Sequence, residues 1–122
     1  MNDAQYEILE VLKEEAAELI HAASKATRHG LDGSNPNSRV KVTNLDQLRK
    51  EIADVMMMIT LAMFVLSITK EDLKPLMESK ASNLMKYSDV FDHLIDNYDA
   101  DDFTKFVHAL GEIDIKGDFN VN

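Results

Sequence analysis

The residues best suited to chemistry in this sequence are carboxylates grouped in two short runs. Glu14, Glu15 and Glu18 stand in the run EEAAE, and Glu51 and Asp54 stand in the run EIAD. A helix would bring the acids of each run to neighbouring positions, where like charges repel. Carboxylates that crowd an apolar face must be paired, protonated or bound to a cation. Because all their donors are oxygens, such a site suits Mg2+, with Mn2+ as a substitute, rather than zinc.

Both runs lie in segments with helical periodicity, where apolar residues recur every three or four positions. Gly30 is a natural cap for the end of the first helix, and Thr43 is a natural start for the second. Thr69 with Asp72 resembles a capping box for the third helix, in which Pro75 permits a break or a late start. No strand pattern competes, so the sequence predicts an all-α fold. The predicted helices are Asp3 to about Thr27, Leu45 to Ser67, Thr69 to about Tyr87, Val90 to Asn97 and Asp102 to Leu110, followed by a polar tail with Gly111 and Gly117.

A helical wheel places the acids on or beside the apolar faces. At about 100° per residue, Glu15 lies in the middle of the apolar stripe of the first helix, Glu18 lies at its edge and Glu14 lies beside Glu18. In the second helix, Glu51 and Asp54 occupy the face next to the main apolar stripe. We therefore expect these acids to lie partly inside; the alternative is solvated charge on ordinary surface helices. The main stripe of the second helix consists of Leu48, Ile52, Val55, Ile59, Ala62, Met63 and Leu66.

Length and composition narrow the possible classes of protein. A chain of 122 residues predicts a single domain, residues 1–122. The net charge of −9 disfavours binding to nucleic acid polymers, and the absence of cysteine excludes disulfides and zinc ribbons. The most apolar run, Val55 to Ile68, is shorter than the roughly 20 residues of a membrane span. With no secretion signal at the N-terminus, the sequence predicts a cytoplasmic protein without a membrane partner.

The two acidic runs together resemble the EExxE and ExxD signature of the MazG-like, all-α nucleoside triphosphate pyrophosphohydrolases. The stretch from Glu14 to Tyr87 follows the order of elements in that family. The resemblance implies a helical bundle of four-helix type, with a core of about residues 3–87 and a short helical extension at 88–122. The insert between the two acidic runs resembles that of a phage-encoded branch of the family, in the residues Arg28-His29-Gly30, Asn35-Pro36 and Thr43-Asn44. A protein of that branch would act in the host cytoplasm.

This resemblance also implies a reaction and the residues that support it. A (deoxy)nucleoside triphosphate would be hydrolysed between its α- and β-phosphates to the monophosphate and pyrophosphate, in control or clearance of the nucleotide pool. Glu14 would lie close to the metals or to the attacking water. The implied Mg2+ ligands are Glu15, Glu18, Glu51 and Asp54.

Cations for the phosphates are expected on the third helix. The family pattern KxxxNxxKY is matched in part by Lys80, Asn83, Lys86 and Tyr87, of which the first three share one helical face. The alternative is that these are ordinary surface lysines. In the loop after the first helix, Arg28 is a further candidate for substrate contact, for which solvation is the better explanation.

Two other functions remain open. A non-catalytic helical module could keep the bundle and use its acidic face for binding or assembly. A related pyrophosphohydrolase could act on another phosphoribosyl nucleotide. In either case the apolar surface of the helices predicts a homodimer or homotetramer, in which four-helix packing is completed between or within subunits.

Overall fold

The computed structural model describes residues 1–34, 36–37, 39 and 41–110. Over these residues the chain forms five helices and no strand, so the predicted all-α fold is confirmed. The predicted polar tail lies outside the described residues, as do Asn35, Ser38 and Val40. The helices are α1 (Asp3–His29), α2 (Asn44–Leu66), α3 (Lys70–Tyr87), α4 (Val90–Asn97) and α5 (Ala100–Leu110).

The chain divides into two compact units. The first, Met1–Ile68, contains α1 and α2, and the second, Thr69–Asn122, contains the remaining helices. Within the second unit, the rings of Phe91 and Phe103 meet edge to face at 6.3 Å beside the buried Ala81. The single domain and the four-helix packing stay predictions.

The two ends of the first unit show that α1 and α2 run antiparallel. Near the start of α1, the side chain of Gln5 donates a hydrogen bond to the carbonyl oxygen of Val65, near the end of α2 (2.9 Å). At the other end, the side-chain amide of Asn44 donates to the carbonyl oxygen of Gly30 (2.9 Å). These bonds fix which levels of the two helices face each other, and therefore which side chains can meet.

The turn between α1 and α2 depends on two glycines. Gly30 has a φ of 84°, a left-handed value that favours glycine, and its N–H caps α1 by donating to the carbonyl oxygen of Ala26. A Cβ on Gly33 would lie 2.6 Å from the carbonyl oxygen of His29, which is too close for any other residue without movement of the backbone. The loop is closed by a hydrogen bond from the Asn44 N–H to the Gly33 carbonyl oxygen (2.8 Å).

The buried face of α2 is centred on a carboxylate rather than on the main apolar stripe. Glu51 is only 3% exposed, whereas Ile52 and Ile59 of that stripe are 46% and 42% exposed. Ala62, which lies at the edge of the stripe next to Glu51, is 7% exposed. The packing face is therefore rotated toward the acids, because the face of α1 that meets it carries Glu15. No helix in the described part of the chain is long and apolar enough to cross a lipid bilayer.

The capping box predicted at the start of α3 is present. Thr69 N–H donates to the Asp72 carboxylate (2.8 Å), and Asp72 N–H donates to the Thr69 hydroxyl (3.1 Å). These bonds satisfy donors that the first turn of a helix leaves free. The helix then passes Pro75 without a break. The bond from the Thr69 N–H is also the main reason that the pKa of Asp72 is lowered.

This lowered pKa predicts a pH-dependent contribution of Asp72 to stability. Because the carboxylate is favoured in the folded state, its contribution is complete above the ordinary pKa of 3.8 and is lost as pH falls through the lower folded pKa. We expect Asp72→Ala to be less stable than the wild type at pH 7, and the difference to disappear in acid. Chemical denaturation at several pH values, followed by helical circular dichroism, measures both.

Glu71→Ala is the matched control, since Glu71 also lies in the first turn of α3 but belongs to no capping box. It should cost less than Asp72→Ala at neutral pH. Equal losses from the two substitutions would mean that only the charge near the helix end matters, and that the capping bonds do not.

Candidate metal centre

Three of the predicted acids come together in the first unit, between α1 and α2. Carboxylate oxygens of Glu15, Glu18 and Glu51, one from each residue, all lie within 4.8 Å of one another. Glu15 and Glu18 are one turn apart on α1, and Glu51 faces them from α2. The helical wheel therefore identified residues that the fold brings into one group. Three carboxylates at this separation form a ready set of hard oxygen ligands.

The most buried member of the group, Glu51, is only half satisfied by the protein. Its Oε1 accepts a hydrogen bond from the side chain of Gln47 (2.7 Å), and the Lys50 ammonium lies 3.6 Å from the same atom. Its Oε2 is buried and accepts no hydrogen bond. The half-buried Glu15 has the same defect at its own Oε2. An unpaired buried carboxylate oxygen is costly, so each of these atoms needs a proton or a cation.

The carboxyl group of Glu18 feels the crowding directly. Repulsion from Glu15 is the largest cause that raises the pKa of Glu18, followed by the Glu51 carboxyl group and then by burial; Lys50 acts in the opposite direction. Glu18 is exposed, in contrast to Glu51. The group is thus open to solvent on the Glu18 side and closed on the Glu51 side, which would give an ion a route of entry.

Asp54 lies outside the group of three because it is engaged elsewhere. Its carboxylate accepts a hydrogen bond from the ammonium group of Lys50 at 2.8 Å, one turn earlier on α2. That bond is the main cause that raises the pKa of Lys50. The Asp54 side chain is 36% exposed, so it is partly inside, as the wheel predicts. Its role as a metal ligand stays a prediction, and would require it to exchange Lys50 for the ion.

Two other predicted residues of the first unit are exposed. Glu14 is not one of the three acids whose oxygens come together, and its side chain is exposed. Arg28 is held by its own helix, where its Nε donates to the carbonyl oxygen of Ser24 at 3.4 Å. Their predicted roles beside the attacking water and the substrate stay predictions.

The predicted phosphate-binding residues belong to the second unit. They lie on the second half of α3 and are exposed, and the Tyr87 side chain is 84% exposed. Exposure leaves them accessible to a ligand, but their contact with a substrate held by the acids stays a prediction. The residues are Lys80, Asn83, Lys86 and Tyr87.

Sequence reasoning missed the polar residues that surround the acids. Gln47 lies one turn before Glu51 and Lys50 one turn before Asp54, which are the separations at which helical side chains pair. That spacing was a usable signal for both contacts. His21 and Lys25 follow Glu18 along α1 and line a cavity with it, a placement that depends on how the two helices pack.

A divalent cation should stabilise the first unit through Glu15 and Glu51. At a hundredfold excess over its dissociation constant, Mg2+ should add about 2.7 kcal/mol to the free energy of unfolding of the wild type. In Glu15→Gln and Glu51→Gln this gain should be largely lost, while the metal-free variants are as stable as the wild type or more stable, because one of several crowded charges is removed. Denaturant titrations with Mg2+ and with chelator measure both effects.

The control is Glu7→Gln, which removes an exposed carboxylate from the same helix. It should retain the full Mg2+ stabilisation. If Glu51→Gln responds to Mg2+ as Glu7→Gln does, the three acids do not form the metal site.

The chain was also compared with known proteins. No protein-family model, no curated protein and no solved structure matches it. The case for a function is therefore carried by the acids themselves: their spacing on α1 and α2, their burial and the oxygens that they leave unpaired.

Proposed function

We propose that this protein is a Mg2+-dependent nucleoside triphosphate pyrophosphohydrolase. Water would add across the anhydride bond between the α- and β-phosphates, giving a nucleoside monophosphate and pyrophosphate. The choice of this bond follows from the resemblance of EEAAE and EIAD to the MazG-like signature. The choice of a metal-dependent reaction has independent support from the geometry of the acids.

The observation that carries the proposal is the pair of buried, unpaired oxygens. Within the described residues, Glu15 Oε2 and Glu51 Oε2 are the buried side-chain polar atoms that lack a hydrogen-bond partner. Both belong to the same group of three carboxylates. A merely structural polar site would satisfy these atoms with donors, whereas a cation site must leave them free for the ion. The donor set contains only oxygen, which fits Mg2+ or Mn2+.

Each acid then has a role. Glu15, Glu18 and Glu51 would hold the metal, and Asp54 would join them on release from Lys50. A bound divalent cation would lower the pKa of a water molecule and stabilise the negative charge of the phosphates. Glu14, one position before Glu15 and exposed to solvent, would orient the attacking water or accept its proton.

The resemblance further implies that α3 carries cations for the phosphates of the substrate. Lys80 and Lys86 are exposed on this helix and would bind phosphate oxygens. Asn83 and Tyr87 would add hydrogen bonds from the same stretch of helix. Because the net charge of the chain is −9, a polyphosphate needs both the metal and such local cations to bind.

The active form would be a homodimer or homotetramer. Four apolar residues of α2 recur at helical spacing and remain exposed: Ile52 (46%), Met56 (53%), Ile59 (42%) and Leu66 (38%). A stripe of this kind is typical of a helix that packs against another helix. A second copy of the chain offers the same stripe, which satisfies the self-complementarity that a two-fold interface requires.

The first test of the proposal is the identity of the products. With Mg2+, the purified protein should convert at least one member of a panel of canonical and modified nucleoside triphosphates to the monophosphate and pyrophosphate, and excess chelator should abolish the conversion. Chromatography of the nucleotides with separate assays for pyrophosphate and orthophosphate distinguishes the possible bonds. Orthophosphate as the first product would place the attack at the terminal phosphorus and exclude the proposed reaction.

A second test concerns Asp54, which is either a metal ligand or only the ion-pair partner of Lys50. As a ligand, Asp54→Asn should reduce turnover by at least about a hundredfold, since loss of one charged metal ligand is a loss of several kcal/mol in the transition state. The control is Asp46→Asn, which alters a similar exposed pair with Arg49 (2.9 Å) on the same helix. If both variants retain turnover, Asp54 is a surface charge.

A further inference from the structure

A cavity of about 290 Å3 adjoins the acids in the first unit. The residues that line it are Glu18, His21, Ala22, Lys25, Gln47 and Glu51. Negative and positive side chains thus share one cavity. A ligand that carries both a metal-chelating group and a further negative charge would be complementary to it.

Lys25 is unusual among the cations of this chain. Of the lysines and arginines that the structure describes, it is the one whose side chain is not exposed. It forms no ion pair with any described residue, although Glu18 and Glu51 line the same cavity. With no carboxylate paired to it, the ammonium group of Lys25 is available to an anionic ligand.

Lys25 also lines a second, larger cavity. Its volume is about 410 Å3, and besides Lys25 it is lined by His29, Gly33, Ser34, Pro36 and Asn44. Among the described residues that line it there is no carboxylate; they combine the rings of His29 and Pro36 with polar groups. Roughly 300–1,000 Å3 is the usual size of a small-molecule site, so the cavity is large enough for a nucleoside. The bond from Asn44 to the Gly30 carbonyl oxygen holds the wall at the start of α2 in place.

We infer that the two cavities form one nucleotide site, with Lys25 at their junction as the residue that binds the phosphate next to the sugar. The nucleoside would occupy the larger cavity beside His29, and the phosphates would extend past Lys25 toward the acids. This inference rests on the proposed function, because a metal-bound phosphate chain fixes one end of the ligand. It adds a direction to the site: the base lies toward the α1–α2 turn, and the polyphosphate lies toward Glu51.

Equilibrium binding tests this arrangement without turnover. The probes are inorganic triphosphate and a set of deoxynucleoside triphosphates in which a methylene group replaces the oxygen between the α- and β-phosphorus, each titrated calorimetrically in Mg2+. Lys25→Gln should raise the Kd of the best nucleotide analogue about tenfold or more, because a charge-assisted contact is lost. His29→Ala should weaken the nucleotide analogue by a similar factor and leave inorganic triphosphate within about twofold.

Lys13→Gln is the matched control, since Lys13 is an exposed lysine of α1 paired with Glu10 at 2.7 Å. It should bind both probes as the wild type does. The inference is overturned if Lys25→Gln binds the nucleotide analogue like Lys13→Gln, if His29→Ala weakens both probes equally, or if the wild type binds neither probe. Pyrophosphate release by the wild type, measured in parallel, separates the two failures: turnover with unchanged binding in Lys25→Gln would leave the proposed function intact and remove only the subsite.

Discussion

The structure of the first unit depends on carboxylates that are placed inside a helix–helix interface. Glu51 stands at the centre of the face that α2 turns toward α1, and Glu15 meets it from α1. Each retains a buried oxygen without a partner, and repulsion from Glu15 raises the pKa of the neighbouring Glu18. Hydrophobic burial alone would favour a different rotation of α2, with Ile52 and Ile59 inside. The interface is therefore less stable than an apolar one would be, and a bound cation would restore the lost stability.

The bounds of the helices followed from local rules. Gly30 ends α1 because its N–H closes the last turn and its positive φ directs the chain out of the helix. The Thr69 and Asp72 side chains begin α3 by satisfying free N–H groups. Such signals involve residues within four positions of one another, so they can be recognised in the sequence. The break that Pro75 permits did not occur, and α3 continues through this residue from Lys70 to Tyr87.

The site was predictable only in part, since its members are fixed by different ranges of interaction. Glu15 and Glu51 stood out because a charge on or beside an apolar face is anomalous in any helical wheel. Asp54 forms an ion pair with Lys50, and this pair competes with metal binding. Which of the two prevails depends on the geometry of the side chains, which helical spacing alone does not give. The cavities at Lys25 depend on the closed turn and on the rotation of α2, which are set by contacts between residues distant in sequence.

The central claim is that the unpaired oxygens of Glu15 and Glu51 bind a divalent cation. Diffraction from crystals soaked in Mn2+, recorded at the manganese absorption edge, locates the ion directly by its anomalous signal. The account predicts a peak coordinated by oxygens of Glu15, Glu18 and Glu51, which disappears in crystals of Glu51→Gln. It is contradicted if the wild-type crystals bind Mn2+ only elsewhere, or not at all, while Glu51 Oε2 stays buried among protein atoms.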